Sequence, residues 1–258
     1  MEYTSHIVGK TFKKIDSEGL LEKYTLRQRK GLHGNVVETG FYKYSTNNES
    51  KADFEELGIE LKVTGYVKNA KGSRRAKERL VLNNIDFDKI INETFETSHL
   101  LEKCKKMLII WYEYDKNKKA KDFLITDYQL YDMSHDKEIF KNDFEIIKGK
   151  VLNGKAHKIS EGDTSYLGAC TKARASADRK TQPFSEIPAK PRAYSLKNSY
   201  MTGILKELTT EKLITITNQY KTVEDYIRDK LNPYFGKTQI EILKEITEKK
   251  ILKKFQNR

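Results

Sequence analysis

Apolar residues come in short runs along this chain, and the runs have the lengths of strands as often as of helices. Met107-Leu108-Ile109-Ile110-Trp111-Tyr112 is nearly continuous and predicts a strand buried on both faces. Phe123 to Tyr131 alternates, and Lys77 to Ile85, centred on Arg79-Leu80-Val81-Leu82, predicts another strand. A strand from Ile59 to Tyr66 would put Glu60 and Lys62 on one face and turn Leu61 into the core. Helical spacing marks Leu20 to Tyr24, Phe87 to Cys104, and Asn142 to Leu152, the last closed by Asn153-Gly154. It also marks Val36, Val37, Phe41 and Tyr44, a helix that would carry Glu38. Interleaved strands and helices of this kind predict an α/β fold with a mixed central sheet flanked by helices.

Breaks in the pattern organise the chain. Lys68 to Arg75 is a basic loop leading into the predicted strand that follows. Lys172 to Lys197 carries Lys172, Arg174, Arg179, Lys180, Lys190, Arg192 and Lys197 against Asp178 and Glu186. It also holds three of the four prolines, so it reads as an irregular basic loop. Helical signals then return, with capping-box pairs at Thr222/Asp225 and Thr238/Glu241 and with Pro233 and Gly236 between them. The expected organisation is one domain over residues 1–210, followed by C-terminal helices over residues 211–258.

Charge narrows the partners. Forty-nine Lys and Arg against 37 Asp and Glu give a formal charge of +12, which favours a polyanion: nucleic acid, an acidic protein surface or anionic lipid. No apolar run approaches the roughly 18 residues of a membrane span, and Met1 to His6 holds no apolar signal core, so the expectation is a cytoplasmic protein with no membrane partner. Cys104 and Cys170 lie far apart without CxxC spacing and are expected to be reduced thiols. The histidines show neither HxxxH nor HExxH spacing and there is no Walker-type glycine loop, which argues against a zinc hydrolase and an ATP-driven enzyme.

Against that background one stretch carries chemistry. Asp53, Glu60 and Lys62 stand in the order D-x6-E-x-K, with a turn at Leu57-Gly58 that would bring Asp53 back beside the strand. Two carboxylates at a strand mouth offer hard oxygen ligands suited to magnesium, and a lysine beside them can orient a water and offset transition-state charge. In a chain that is 33% charged, three such residues also fall into this spacing by chance. Glu38, on its predicted helix upstream, adds a second element. Helix, acid, turn and acid-x-lysine is the layout of a restriction-endonuclease-like nuclease core.

The resemblance extends well beyond that motif. Lys30-Gly31, Gly34 and Glu38, Asp53 through Lys62, Lys77 to Asn83, and Phe95-Glu96-Thr97-Ser98 resemble, in order, the family of the MutH mismatch-repair nickase and the Sau3AI-type GATC restriction endonucleases. The likeness continues at Gly154 to His157, Ser160-Glu161-Gly162, Thr164 to Leu167, Arg192 to Lys197 and Tyr200-Met201-Thr202, and it is closer to the restriction enzymes.

The resemblance implies a DNA-binding cleft between two arms, a Mg2+ cofactor and double-stranded DNA as partner. By position, Asp53 and Glu60 would be the metal-binding carboxylates, with the Leu61 carbonyl a further ligand. Lys62 would be the catalytic lysine, and Glu38 an acid that organises the site, its alternative being an ordinary exposed helix glutamate. Lys172, Arg174, Arg179, Arg192 and Lys197 would bind DNA, each with phosphate contact or plain solvation as its alternative to base reading. Tyr194 and Tyr200 are expected in the core. Where the nickase has a tyrosine, Ser195 fits the branch that cuts both strands. Restriction enzymes of this type carry a second, regulatory half, so this chain is expected to be a catalytic half whose partner is such a domain or a second copy. The lysines at 249–250 and 253–254, interleaved with Ile251, Leu252 and Phe255, would pack on it or end in solvent. The implied activity is GATC-specific type II restriction; strand nicking and a non-catalytic DNA-binding domain are the alternatives.

Overall fold

The structure, a computed structural model, describes residues 2–23, 31–44, 51–70, 72–173, 175 and 177–219, with side chains through residue 209. Lys30, Arg174, Tyr24, the C-terminal capping pairs and the terminal lysines lie outside the described residues. The chain forms two compact units, one of Met1–Val67 with Ala76–Met201, the other containing Lys68–Arg75 and residues from Thr202 onward.

Among the described residues the strands are β1 (Ile59–Lys68), β2 (Arg74–Ala76), β3 (Leu80–Ile85), β4 (Lys106–Glu113), β5 (Leu124–Asp132), β6 (Leu167–Thr171), β7 (Lys180–Gln182), β8 (Ser185–Ala189) and β9 (Arg192–Leu196). The first sheet runs β2-β1-β4-β5 and is mixed, because β1 pairs parallel with β4 while β4 pairs antiparallel with β5. Every residue from Met107 to Tyr112 is buried, the condition its unbroken apolar run requires. Leu61 joins a core of Val36, Val37, Leu108, Ile110 and Ile125, and its neighbours Glu60 and Lys62 leave the strand on the opposite face.

The second sheet, β3-β9-β6, is antiparallel, and β7 and β8 form a hairpin. The helix Lys137–Leu152 buries Phe140, Phe144, Ile147 and Val151, one face at helical spacing. On the same helix the fully buried Asp143 accepts the N–H groups of Ser165, Tyr166 and Leu167 at 2.7–2.8 Å, which ties the helix to the start of β6.

Several expectations are corrected. Lys172 to Lys197 is not an irregular loop: it contains β7, β8 and β9, and β9 is the central strand of its sheet. Ala193, Tyr194, Ser195 and Leu196 are all buried, so the alternation that marks a half-exposed strand is missing there. Phe87 to Cys104 is not one helix but two short ones, Phe87–Ile90 and His99–Cys104, capped by the side chains of Asp86 and Ser98. The helix placed from Asn142 begins at Lys137, early enough to bring Phe140 into its apolar face. Val36–Phe41 is a π-helical turn continuing the helix Leu32–Asn35, and Tyr44 beyond it is exposed instead of buried. The chain leaves that helix through Lys43, whose φ of 63° ends the helical spacing before Tyr44.

Candidate functional site

The short loop before β1 closes on itself. Phe54 and Ile59 exchange backbone hydrogen bonds at 2.9 and 3.3 Å around the 3-10 turn Glu55–Leu57, and Gly58 supplies the left-handed φ of 60° that the reversal needs. This closure sets Asp53 beside the first residues of β1. Asp53 Oδ2 accepts the Leu61 N–H at 2.9 Å, and the Asp53 N–H donates to Glu60 Oε2 at 3.3 Å. Two residues along β1, Lys62 Nζ donates to Glu60 Oε1 at 2.7 Å. Asp53, Glu60 and Lys62 therefore share one corner of the fold.

Glu60 is 3% exposed, a burial that carboxylates tolerate only with partners. Lys62 is one partner. Lys103, on the helix His99–Cys104, is another, its Nζ 3.7 Å from Glu60 Oε2. Burial raises the Glu60 carboxyl, with Lys62 pulling it back down. Burial also works against the Lys62 ammonium, but the carboxylates of Glu60 and Asp53 help to outweigh it and leave the lysine protonated. Behind the lysine, the buried thiol of Cys104 is pushed up to about 12 by desolvation and stays neutral. Cys170 is likewise free and buried.

Glu38 reaches this corner from the π-helical turn. Gly40 lets that turn approach the chain closely, since a Cβ there would stand 2.9 Å from the Ile15 carbonyl oxygen. Burial, then the charges of Asp53 and Glu60, push the Glu38 carboxyl up to about 7. Three carboxyl groups crowded in this way carry an excess of negative charge that a divalent cation would relieve. Asp53, Glu60 and the Leu61 carbonyl are hard oxygen donors of the kind magnesium takes, and magnesium usually keeps several waters instead of filling a protein cage. Among the described residues no three His, Cys, Asp or Glu side chains converge as a metal-holding group.

A cleft of about 560 Å³ opens over Glu60 and Lys62. Its other charged walls include Lys89, Lys103, Lys172 and Lys180, with Asp86 and Glu93 opposed. Lys103 and Lys180 escape a reading of the sequence as candidate site residues. Lys103 had a usable signal, because it lies in the last turn of the helix that Ser98 caps directly after Phe95-Glu96-Thr97-Ser98.

The basic residues singled out beforehand fare differently. Lys172 lies exposed on the cleft wall. Arg179 is exposed, with its Nη1 donating to the Asp178 carbonyl at 2.9 Å. Arg192 is half-buried, and its guanidinium donates to the carbonyls of Ala169 and Ile159 at 3.0 and 2.5 Å. Lys197 donates to the Thr164 carbonyl. Arg192 and Lys197 thus bind backbone within the fold and are absent from the cleft wall. Ser195 is fully buried in β9, and Tyr194 is 2% exposed, so that segment presents neither hydroxyl to solvent. Tyr200 stacks on Tyr166 with ring centroids 4.3 Å apart and donates to Asp136 at 2.6 Å.

The family model described as DNA mismatch repair enzyme MutH matches residues 42–143, the stretch that holds Asp53, Glu60, Lys62 and Lys103. The type II restriction enzyme Sau3AI of Staphylococcus aureus is 41% identical over 222 residues, which cover 82% of this chain and 45% of that enzyme. The chain therefore spans a little under half the length of the curated relative it matches.

Proposed function

The chain belongs to the MutH/Sau3AI family, and from that premise we propose that it is the catalytic part of a type II restriction endonuclease, hydrolysing both strands of duplex DNA at GATC with Mg2+. The observation that supports this best is the corner in which Asp53, Glu60 and Lys62 meet at the mouth of β1, facing a cleft with lysine walls. Asp53, Glu60 and the Leu61 carbonyl would hold magnesium, which supplies a polarised phosphate and an activated water when bound.

The protein's own groups do the rest. Lys62, fixed by Glu60 and kept charged, orients the water and offsets charge on the phosphate as it develops. Lys103 adds a second positive charge on the other oxygen of Glu60. Glu38 organises the corner from its π-helical turn. Lys172, Arg179 and Lys180 bind the duplex, whereas Arg192 and Lys197 tie β9 to β6 and to the segments at Ile159 and Thr164 that precede it. Residues 1–210 form the catalytic domain in this reading, and a regulatory half or a second copy is its protein partner.

Digestion of an unmethylated plasmid with Mg2+, followed by end mapping, tests the reading. The expected result is double-strand breaks at GATC, lost in Asp53→Ala and Lys62→Ala; cleavage by these variants at the parent rate would overturn the assigned centre. The MutH model match over residues 42–143 favours strand nicking as a second reading. A hemimethylated GATC duplex cut on one strand only would select it.

A further inference from the structure

One polar side chain on the cleft wall is not explained by stability. Asn83 lies in β3 where the pairing with β9 shifts: Val81 stands opposite Ser195 and Asn84 opposite Ala193, so Leu82 and Asn83 share the single partner Tyr194. The bulge breaks the alternation of the strand and buries both residues, leaving Asn83 8% exposed in the lining of the cleft. Its Nδ2 donates to the His99 carbonyl at 3.0 Å, while its Oδ1 is buried and, among the described residues, accepts no hydrogen bond. An unmet buried acceptor destabilises at least as much as one such bond stabilises, so an apolar residue would serve the fold equally well here.

What the amide grips gives it a purpose. His99 opens the helix His99–Cys104, which is six residues long, less than two turns, and carries Lys103 one turn beyond His99. Residues four apart share a helix face, and His99 and Lys103 both line the cleft that contains Glu60 and Lys62. Burial of Leu100 and Cys104 and the Ser98 cap hold this short helix in the fold. The Asn83 bond adds a directional tie between its cleft-facing side and β3. The Lys103 side chain is 17% exposed, so its stem is packed, and the placement of the helix sets where its ammonium stands, 3.7 Å from Glu60 Oε2.

We propose that Asn83 is a positioning residue for Lys103: it fixes the helix His99–Cys104 against β3 and thereby the second ammonium beside Glu60. This rests on the nuclease reading of that corner. A conflict between residue type and stability then marks a residue kept for placement.

The test measures single-turnover cleavage of a GATC duplex by saturating full-length chain with Mg2+, and duplex affinity with Ca2+ in its place. Asn83→Leu exchanges the amide for an apolar group of similar size. It is expected to melt no lower than the parent, because the unmet Oδ1 disappears together with the bond. Its duplex affinity should stay within about twofold of the parent's while its cleavage per folded molecule slows by about tenfold to 100-fold, the scale of a misplacement of about 1 Å. In metal-free protein, amide hydrogen exchange over residues 99–104 should quicken with the rest of the chain unchanged. Lys103→Ala supplies the second arm: Asn83→Leu should slow the Lys103→Ala protein no further, so the two losses do not multiply. Asn83→Ala makes the same comparison should leucine prevent folding. Losses that multiply would overturn the assignment, as would unchanged exchange over residues 99–104. A parent rate per folded molecule in Asn83→Leu would also overturn it, whatever the melting temperature, and would leave the nuclease reading standing. A fall in duplex affinity equal to the fall in rate would make Asn83 a DNA contact instead. No cleavage by the parent protein would remove the nuclease reading and the proposal with it.

Discussion

Lys62 on β1 and Arg192 on β9 are both basic residues on largely buried strands, and the fold uses their charges in opposite ways. Lys62 lies against an ionisable neighbour, Glu60, at the edge of an open cleft. Arg192 donates through its two terminal nitrogens to neutral backbone carbonyls, those of Ala169 and Ile159. A charge held by another charge next to water can be redirected when a ligand arrives, whereas a charge that satisfies buried carbonyls cannot leave without exposing them to an unmet hydrogen bond. The partner, more than the residue type, separates chemistry from architecture.

The largest test of that contrast pairs the two residues. Lys62→Ala is expected to lower plasmid cleavage per folded molecule by at least about 100-fold, far more than the accompanying loss of stability from leaving buried Glu60 with the more distant Lys103 can account for. Arg192→Ala is expected to be destabilised by about 2 kcal/mol, a fall of roughly 4–8 °C in Tm by calorimetry, with cleavage per folded molecule largely kept. If Arg192→Ala lost cleavage while retaining its stability, the division would fail.

DNA affinity against salt sharpens the same line. Replacing Lys172 or Lys180 by Ala should each reduce the slope of log affinity on log salt by about 1, while Lys197→Met should leave the slope unchanged. The smallest effect concerns Glu38. Its carboxyl is raised from 4.5 to about 7, so the fold favours the protonated form and loses stability as pH rises from 4.5 through about 7. In metal-free protein at pH 8, Glu38→Gln should therefore melt higher than the parent by roughly 2–4 °C, the shift that about 1 kcal/mol produces after solvent screening. That gain should vanish as the pH falls to the ordinary carboxylate range.

The two regions also differed in how far the sequence revealed them. Around β1 the determining contacts are local: Asp53, the Leu57-Gly58 turn, and Glu60 and Lys62 two apart are joined by hydrogen bonds between residues no more than eight apart. Spacing alone could place them. The apolar run of β4 was equally readable, because burial on both faces leaves nothing polar to interrupt it. Around β9 the determining contacts were distant. Arg192 meets Ile159, Lys197 meets Thr164, and Asp143 gathers the N–H groups of residues 165–167. Prolines and basic residues therefore suggested a loop where long-range pairing makes strands. Lys103 was hidden for a similar reason, since only the pairing of β4 with β1 brings its helix to Glu60.

That parallel pairing has a further consequence. Ile59 is aligned with Lys106, three residues beyond Lys103, and a slip of one residue in β1 would carry Glu60 and Lys62 to the opposite face. A centre assembled across such a seam does not exist in a nascent or mispaired chain, even though every residue of its motif has already been synthesised. If the chain cleaves DNA as proposed, correct folding would then serve as the safety catch.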